Sequence, residues 1–551
     1  MFHLSPKHAY GVGVAFILLI SCLRIVSTYG IFTQTYDEPA HIAAGMELLD
    51  RGTYHYDPQH TPLARLAVAI GPRLAGAVFP HSEDMWKDGN AILSDRGAYW
   101  RNLSLARAGI LPFFVLACLA VWGLARRIFG RPTALLATLL FSCLPPVLGH
   151  AGIATTDMAC TATYLTAVWS FLWWLDRPTP IRSAGLAAAV AAALLTRLSS
   201  LPFLVLGFAT IFLLFATDAE RRTGFARSFL TRKWQSAAVF CGTLGFLILA
   251  CYGFAFGPVL DHAELARART MNFGFSLSPA LKELQYRVVS IPIPASPVFR
   301  GMYRLYEHNG WGHESYLFGE NRKGGWWYFF LVVVAVKTPL GFLLLALAGV
   351  VMLVRQKDWQ RRSVVAAALI VLLVCSSSRI HLGVRHILPM YPFLAIAAAC
   401  AAIEFWRLPA FRFVPLLAVA WFLYSSGAAH PDYLSYFNEL ARSRPERILC
   451  ESDLDWGQDL HRLSLRLQAL GVRDVKIKYA GSADLAAAGL PHYEELEPYS
   501  PATGYIAVSM RRLYLEDAKA RAQGRQSGPY AWLESYEPLE RIGASILLYK
   551  L

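Results

Sequence analysis

Two adjacent carboxylates, Asp37 and Glu38, follow the first strongly apolar run of the chain in the segment Thr35-Tyr36-Asp37-Glu38-Pro39. Adjacent like charges raise each other's affinity for a proton or a cation, and partial desolvation sharpens both effects. The pair therefore suits a general base or a cation site. It equally suits a helix start, because Asp ahead of Glu and Pro is a good N-cap sequence. Spacing alone leaves both readings open. A further acid, Asp157, closes the segment His150-Ala151-Gly152-Ile153-Ala154-Thr155-Thr156-Asp157 at the head of another apolar run, where residue spacing favours an N-cap. Lys337 stands about eleven residues into an apolar run, roughly 16 Å along a helix rising 1.5 Å per residue, where an unpaired ammonium is expensive; a buried ion pair or a differently placed helix boundary is the alternative. Arg379, Arg385 and His386 crowd one short segment, suited to lipid head groups or to a phosphate. His313 and Glu320 add candidate metal ligands, although a single His without spacing partners is more often structural. The run Trp326 to Phe330 reads as an interfacial aromatic belt, and Asp455 to Asp459 reads as a helix start more than as an acceptor contact.

The elements that must position these residues lie in a membrane. The chain has 551 residues, 55% hydrophobic and only 16% charged, with a mean hydropathy of +0.37. That composition excludes an ordinary soluble enzyme. Eleven apolar runs emerge, near 11–31, 108–125, 133–149, 158–175, 184–196, 202–216, 236–257, 326–354, 363–376, 387–404 and 413–428. Arginine and lysine clusters fall in alternate connections, at Arg126 to Arg131, Arg177 and Arg182, Arg221 to Lys233, and Arg355 to Arg362, which makes those connections cytoplasmic. Much of the net charge of +14 is thereby topological, which weakens a nucleic-acid partner. The first outer loop, 32–107, a second large one, 258–325, and everything from 429 onward fall outside. The first run lacks a small-residue cleavage site and reads as a retained signal anchor. The first outer loop suggests short interfacial helices. The tail 429–551 reads as a small α/β domain: a strand from Ile448, a helix over 459–470, a strand over 475–479, a short helix over 483–488, a strand over 505–509, a helix, and a last strand near 544–549. Of nine cysteines, eight lie in or beside apolar runs, so neither a disulfide framework nor a zinc site is readable.

Several separated motifs accompany the carboxylates: Tyr36-Asp37-Glu38-Pro39, His60-Thr61-Pro62-Leu63-Ala64-Arg65, Thr156-Asp157, Tyr316-Leu317-Phe318-Gly319-Glu320, Gly325-Trp326-Trp327-Tyr328, Lys337-Thr338-Pro339-Leu340 and Arg385-His386-Ile387-Leu388-Pro389. In this order and topology the chain resembles glycosyltransferase family 39, the protein O-mannosyltransferase-like group that includes the lipid A aminoarabinose transferases, within the GT-C superfamily. The resemblance implies a GT-C fold, a transmembrane catalytic domain over 1–428 and a periplasmic α/β domain over 429–551. It implies a polyprenyl-phosphate sugar donor, a lipid, glycan or protein acceptor, and inverting transfer at the outer face of a bacterial inner membrane. Asp37 would be the base, Glu38 would position the acceptor or share its proton, and Asp157 would orient the acceptor or hold a divalent cation, with His313 and Glu320 as further ligands. His60, Arg65, Lys337, Arg385 and His386 would serve the donor phosphate. His60 stands where the lipid A branch carries a lysine, which makes that contact more pH-sensitive. From another functional class, a transporter or flippase of lipid-linked sugars competes, but the chain lacks the internal repeats that transporters tend to carry.

Overall fold

All eleven apolar runs fold as helix. The computed structural model describes residues 6–260 and 278–551, so the stretch 261–277 of the second outer loop lies outside the described residues. Among the described residues, six helices are long and apolar enough to cross a membrane, or seven when the bent pair Arg131–Ser142 and Pro145–Ala151 counts as one span, and three shorter apolar helices accompany them. The chain is thus a multi-pass membrane protein of fewer full-length spans than the eleven runs. Prolines account for part of the difference. The run 326–354 is two helices, Phe329–Lys337 and Leu340–Arg355, parted at Thr338, which is extended ahead of Pro339. Proline restricts the residue before it to extended backbone and cannot donate to the preceding turn. Pro145 and Pro146 likewise begin a new helix after a 64° bend.

The first outer loop forms the helices Glu38–Arg51, Pro62–Leu74, Met85–Ser94 and Tyr99–Ala108. They are not merely laid on a surface: Ile42, Met46, Val68, Ile92 and Leu103 are buried in the same core as the membrane helices. Glu38–Arg51 and Pro62–Leu74 cross at Gly45, where an added Cβ would collide with the Arg65 carbonyl. That close approach sets the distance between the helix that starts at Asp37 and the one that carries Arg65.

Beyond the last membrane helix, residues 429–459 run back over the bundle. The Asn438 amide donates to the carbonyls of Ala335 and Thr338, and the backbone N–H of Thr33 donates to Gln458. The α/β domain follows, with helix Leu460–Ala469 and a five-stranded sheet. His492–Glu495, Asp474–Lys478 and Tyr505–Ser509 pair in parallel in that order; Ile546–Lys550 then pairs antiparallel, with Glu540–Ile542 at the edge. One face packs Val475, Ile477, Ala507 and Leu548 on the helix. Two expectations for the tail need correction: Ile448 follows a 3-10 turn rather than opening a strand, and 483–488 is a series of turns. The edge strand His492–Glu495, with too little apolar alternation to be read from the sequence, is new.

Candidate active site

Asp37 occupies the position before helix Glu38–Arg51 but makes no capping bond with its side chain. Its Oδ2 instead accepts from Nη1 of Arg385 at 2.7 Å. Arg385 comes from the turn Val384–His386, entered through Gly383 at φ 104°, a left-handed conformation open to glycine; the Asp453 carboxylate fills the space a Cβ would need. The guanidinium lies 4.5 Å from the ring centre of Trp456, a stacking that suits its delocalised charge. Trp456 is held there because its carbonyl accepts from the Tyr36 N–H at 2.9 Å. Nε of Arg385 is buried with no partner among the described residues.

Glu38, next to Asp37, has a different fate. It is fully buried and pairs with Arg107 through both oxygens at 2.9 Å, while the backbone N–H groups of Thr35 and Ala154 add bonds at 2.7 and 2.8 Å. It does not line the cavity described below. Its carboxylate ties the start of helix Glu38–Arg51 to the loop that leads to Asp157. Asp157 is also buried: one oxygen pairs with Arg197, the other accepts from the Thr155 hydroxyl at 3.0 Å, and His150 stands 3.9 Å away. Both of its oxygens are taken, Glu320 sits on an exposed hairpin, and His313 bonds the Glu314 carbonyl. Among the described residues no three His, Cys, Asp or Glu side chains are grouped to hold a metal ion. The residues present do not fit the cation centre that Asp157, His313 and Glu320 would have formed.

Asp37, Arg385, His386, Arg197, His60, Arg65 and His313 share one cavity of about 1190 Å³, which apolar side chains such as Leu198, Leu201, Phe203 and Val374 complete. Burial alone would raise the Asp57 carboxyl on this wall, but His60 at 2.7 Å and Arg65 at 3.0 Å outweigh it and hold the group well below the usual carboxylate range. Burial, then the charges of Arg197 and Arg385, push the His386 ring down, so it stays neutral near pH 7. Arg65 spends its donors on Tyr54, Tyr56, Asp57 and His41 and braces the wall. Lys337 is absent from the cavity. Its ammonium donates to the carbonyls of Leu434 at 3.0 Å and Asp453 at 2.5 Å and lies 4.2 Å from the Phe437 ring centre. Lys337 is fully buried, as its place in an apolar run implies, and backbone carbonyls of the tail take up its ammonium.

Arg197 and Asp57 escaped the sequence reading. Arg197 stands in the short break between helices Pro180–Thr196 and Ser200–Ala216, an outer turn by the same alternation that placed Arg385 outside. A basic residue against the orientation trend was the available signal.

Residues 106–248, about a quarter of the chain, match the family model described as dolichyl-phosphate-mannose-protein mannosyltransferase. The match spans Asp157 and Arg197 and agrees with the family resemblance that the separated motifs carry. No curated protein matches the chain. Among solved structures, ArnT from Cupriavidus metallidurans bound to undecaprenyl phosphate is similar at 12% identity over 97% of each chain, with a TM-score of 0.48. The archaeal oligosaccharyltransferase AglB from Archaeoglobus fulgidus, in complex with an inhibitory peptide and a dolichol-phosphate, is similar at 12% identity over 90% of this chain and 69% of that one, with a TM-score of 0.47.

Proposed function

We propose that the chain is a membrane glycosyltransferase that moves a sugar from a polyprenyl-phosphate donor to an acceptor at the outer face of a bacterial inner membrane, with inversion at the sugar carbon. The observation that carries this reading is the Asp37–Arg385 pair on the wall of a large cavity, a base and an anion-binding cation side by side. Asp37 takes the proton of the acceptor hydroxyl as its oxygen bonds to the sugar carbon, while the bond from that carbon to the phosphate oxygen breaks and its electron pair leaves with the phosphate. Polyprenyl phosphate is already a good leaving group, so fixed cations supply most of what remains. Arg385 and Arg197 serve that need, and His60 lies on the same wall. Arg385 donates to the Asp37 carboxylate, which thereby has one oxygen occupied. A phosphate that competes for the guanidinium frees the base, which couples donor binding to proton transfer. Glu38 positions this machinery rather than touching substrate, and Asp157 holds Arg197 in place. The apolar part of the wall suits the first isoprene units of the donor.

The test is to incubate the purified protein with a radiolabelled polyprenyl-phosphate sugar and a membrane or periplasmic fraction. Label moving to an acceptor, with release of polyprenyl phosphate, is the expected result. Movement of the intact lipid-linked sugar between leaflets without transfer would overturn the reading in favour of a transporter.

A further inference from the structure

A second, smaller cavity of about 290 Å³ lies between the first outer loop and the α/β domain, lined by Gln34, Tyr99, Trp100, His461, Gln468 and Asp484 among others. It is chemically unlike the large one. Among the described residues no lysine or arginine lines it, whereas three arginines named above face the large cavity. Nothing in it would neutralise a phosphate.

Gln34 carries the argument. It is fully buried, and its amide orientation is fixed by a chain of bonds rather than by assignment. The Asn90 amide nitrogen donates to the Ser482 carbonyl at 2.7 Å, so the Asn90 amide oxygen faces Gln34 and must accept from its nitrogen, at 2.6 Å. The Gln34 amide oxygen is then left buried with no donor among the described residues. An unmade bond of this kind is costly, so the oxygen is an acceptor awaiting a donor. The wall of the same cavity carries the rings of Tyr99 and Trp100, 5.2 Å apart, and His461, 4.6 Å from Trp100. Burial lowers the His461 ring, which keeps it neutral. The Gln468 amide and the Asp484 carboxylate add polar groups, and both residues are exposed, so the cavity is reached from outside.

We propose that this cavity is a binding site for an uncharged, hydroxyl-rich ligand of one or two sugar units, whose hydroxyl donates to Gln34 while its C–H faces lie against Tyr99 and Trp100. Amides, a carboxylate and aromatic rings without fixed cations match a neutral polyol and reject a phosphate. The volume falls at the lower end of small-ligand cavities, about 300 Å³.

The test is saturation-transfer difference NMR on the detergent-solubilised full chain, with glucose, mannose, N-acetylglucosamine and maltose as probes and inorganic phosphate as competitor. At least one sugar is expected to receive saturation. Gln34→Ala and Ala487→Trp, the latter filling the cavity from an exposed turn, should each weaken binding by about tenfold or more. Asp37→Asn and phosphate should leave it unchanged, which separates the result from the fate of the transfer reaction. No saturation with any probe means that water alone answers Gln34 and overturns the proposal. Saturation that survives Ala487→Trp, or that Asp37→Asn or phosphate abolishes, places the sugar elsewhere and also overturns it.

Discussion

Asp37 and Arg385, 348 residues apart in the chain, meet at 2.7 Å on the wall of the large cavity, and the same guanidinium rests on Trp456 from the tail. Three distant segments therefore fix one carboxylate: the first outer loop, the short loop before the tenth apolar run, and the tail. The carboxylate is free of capping duty, so its position serves the cavity rather than the helix behind it.

Asp37→Asn is expected to abolish sugar transfer while the protein inserts and binds donor, because the carboxylate acts in the transition state more than in ground-state binding. Single-turnover transfer and donor binding, measured on the same preparation, check it. Near-normal turnover would remove Asp37 as the base.

Arg385 and Lys337 should separate cleanly. Arg385→Met is expected to lower turnover roughly a hundredfold and to weaken donor binding, as losing one preorganised charge partner at a developing anion does. Lys337→Met should leave donor affinity near normal and lower thermal stability instead, since it removes the donor to two buried tail carbonyls. Donor titration and thermal unfolding of both variants decide it, and a fall in donor affinity for Lys337→Met would return Lys337 to the phosphate site.

Glu38→Gln is expected to destabilise the chain by about 3 to 5 kcal/mol, because it leaves Arg107 buried without its charge partner. Thermal unfolding and the yield of folded protein measure this. Lost transfer at unchanged stability would instead give Glu38 a direct part in the chemistry.

What the sequence made legible follows from what is local. Long apolar runs fold as helix wherever they occur, and a carboxylate pair beside one is conspicuous, so Asp37 and Asp157 stood out. The partners did not. Glu38 looks equivalent to Asp37 in sequence, and only the arrival of Arg107 and the Ala154 N–H, 69 and 116 residues away, makes it a buried strut. Lys337 was read as deep in an apolar run and is fully buried, but its acceptors are carbonyls 97 and 116 residues on, and a carbonyl has no sequence signature. In the tail, 483–488 is rich in alanine and reads as helix, yet it folds as turns between Gly481 and Gly489.

The alternation of basic loops predicts that the α/β domain lies outside the cytoplasm. A C-terminal alkaline phosphatase fusion should be active and a green fluorescent protein fusion dark. The reverse would mean that the pair of short helices Pro180–Thr196 and Ser200–Ala216 does not cross twice.

The last expectation concerns pH. Asp455, beside Trp456 in the chain, is fully buried, accepting from the backbone N–H groups of Gly457 at 3.1 Å and Arg511 at 3.0 Å, and burial pushes its carboxyl up to about 6. An unfolded aspartate loses its proton near pH 4. Between about pH 4 and 6 the folded chain thus holds a proton that the unfolded chain has released, and the stability contributed by this group falls as the pH rises through that window, then stays level. The shift corresponds to roughly 3 kcal/mol. Comparing the Tm of the purified chain with that of its Asp455→Asn variant isolates the group from the other carboxylates. The advantage of the parent protein over the variant should be larger at pH 4.5 than at pH 7, and a difference that grows with pH would show that the buried carboxyl is ionised throughout.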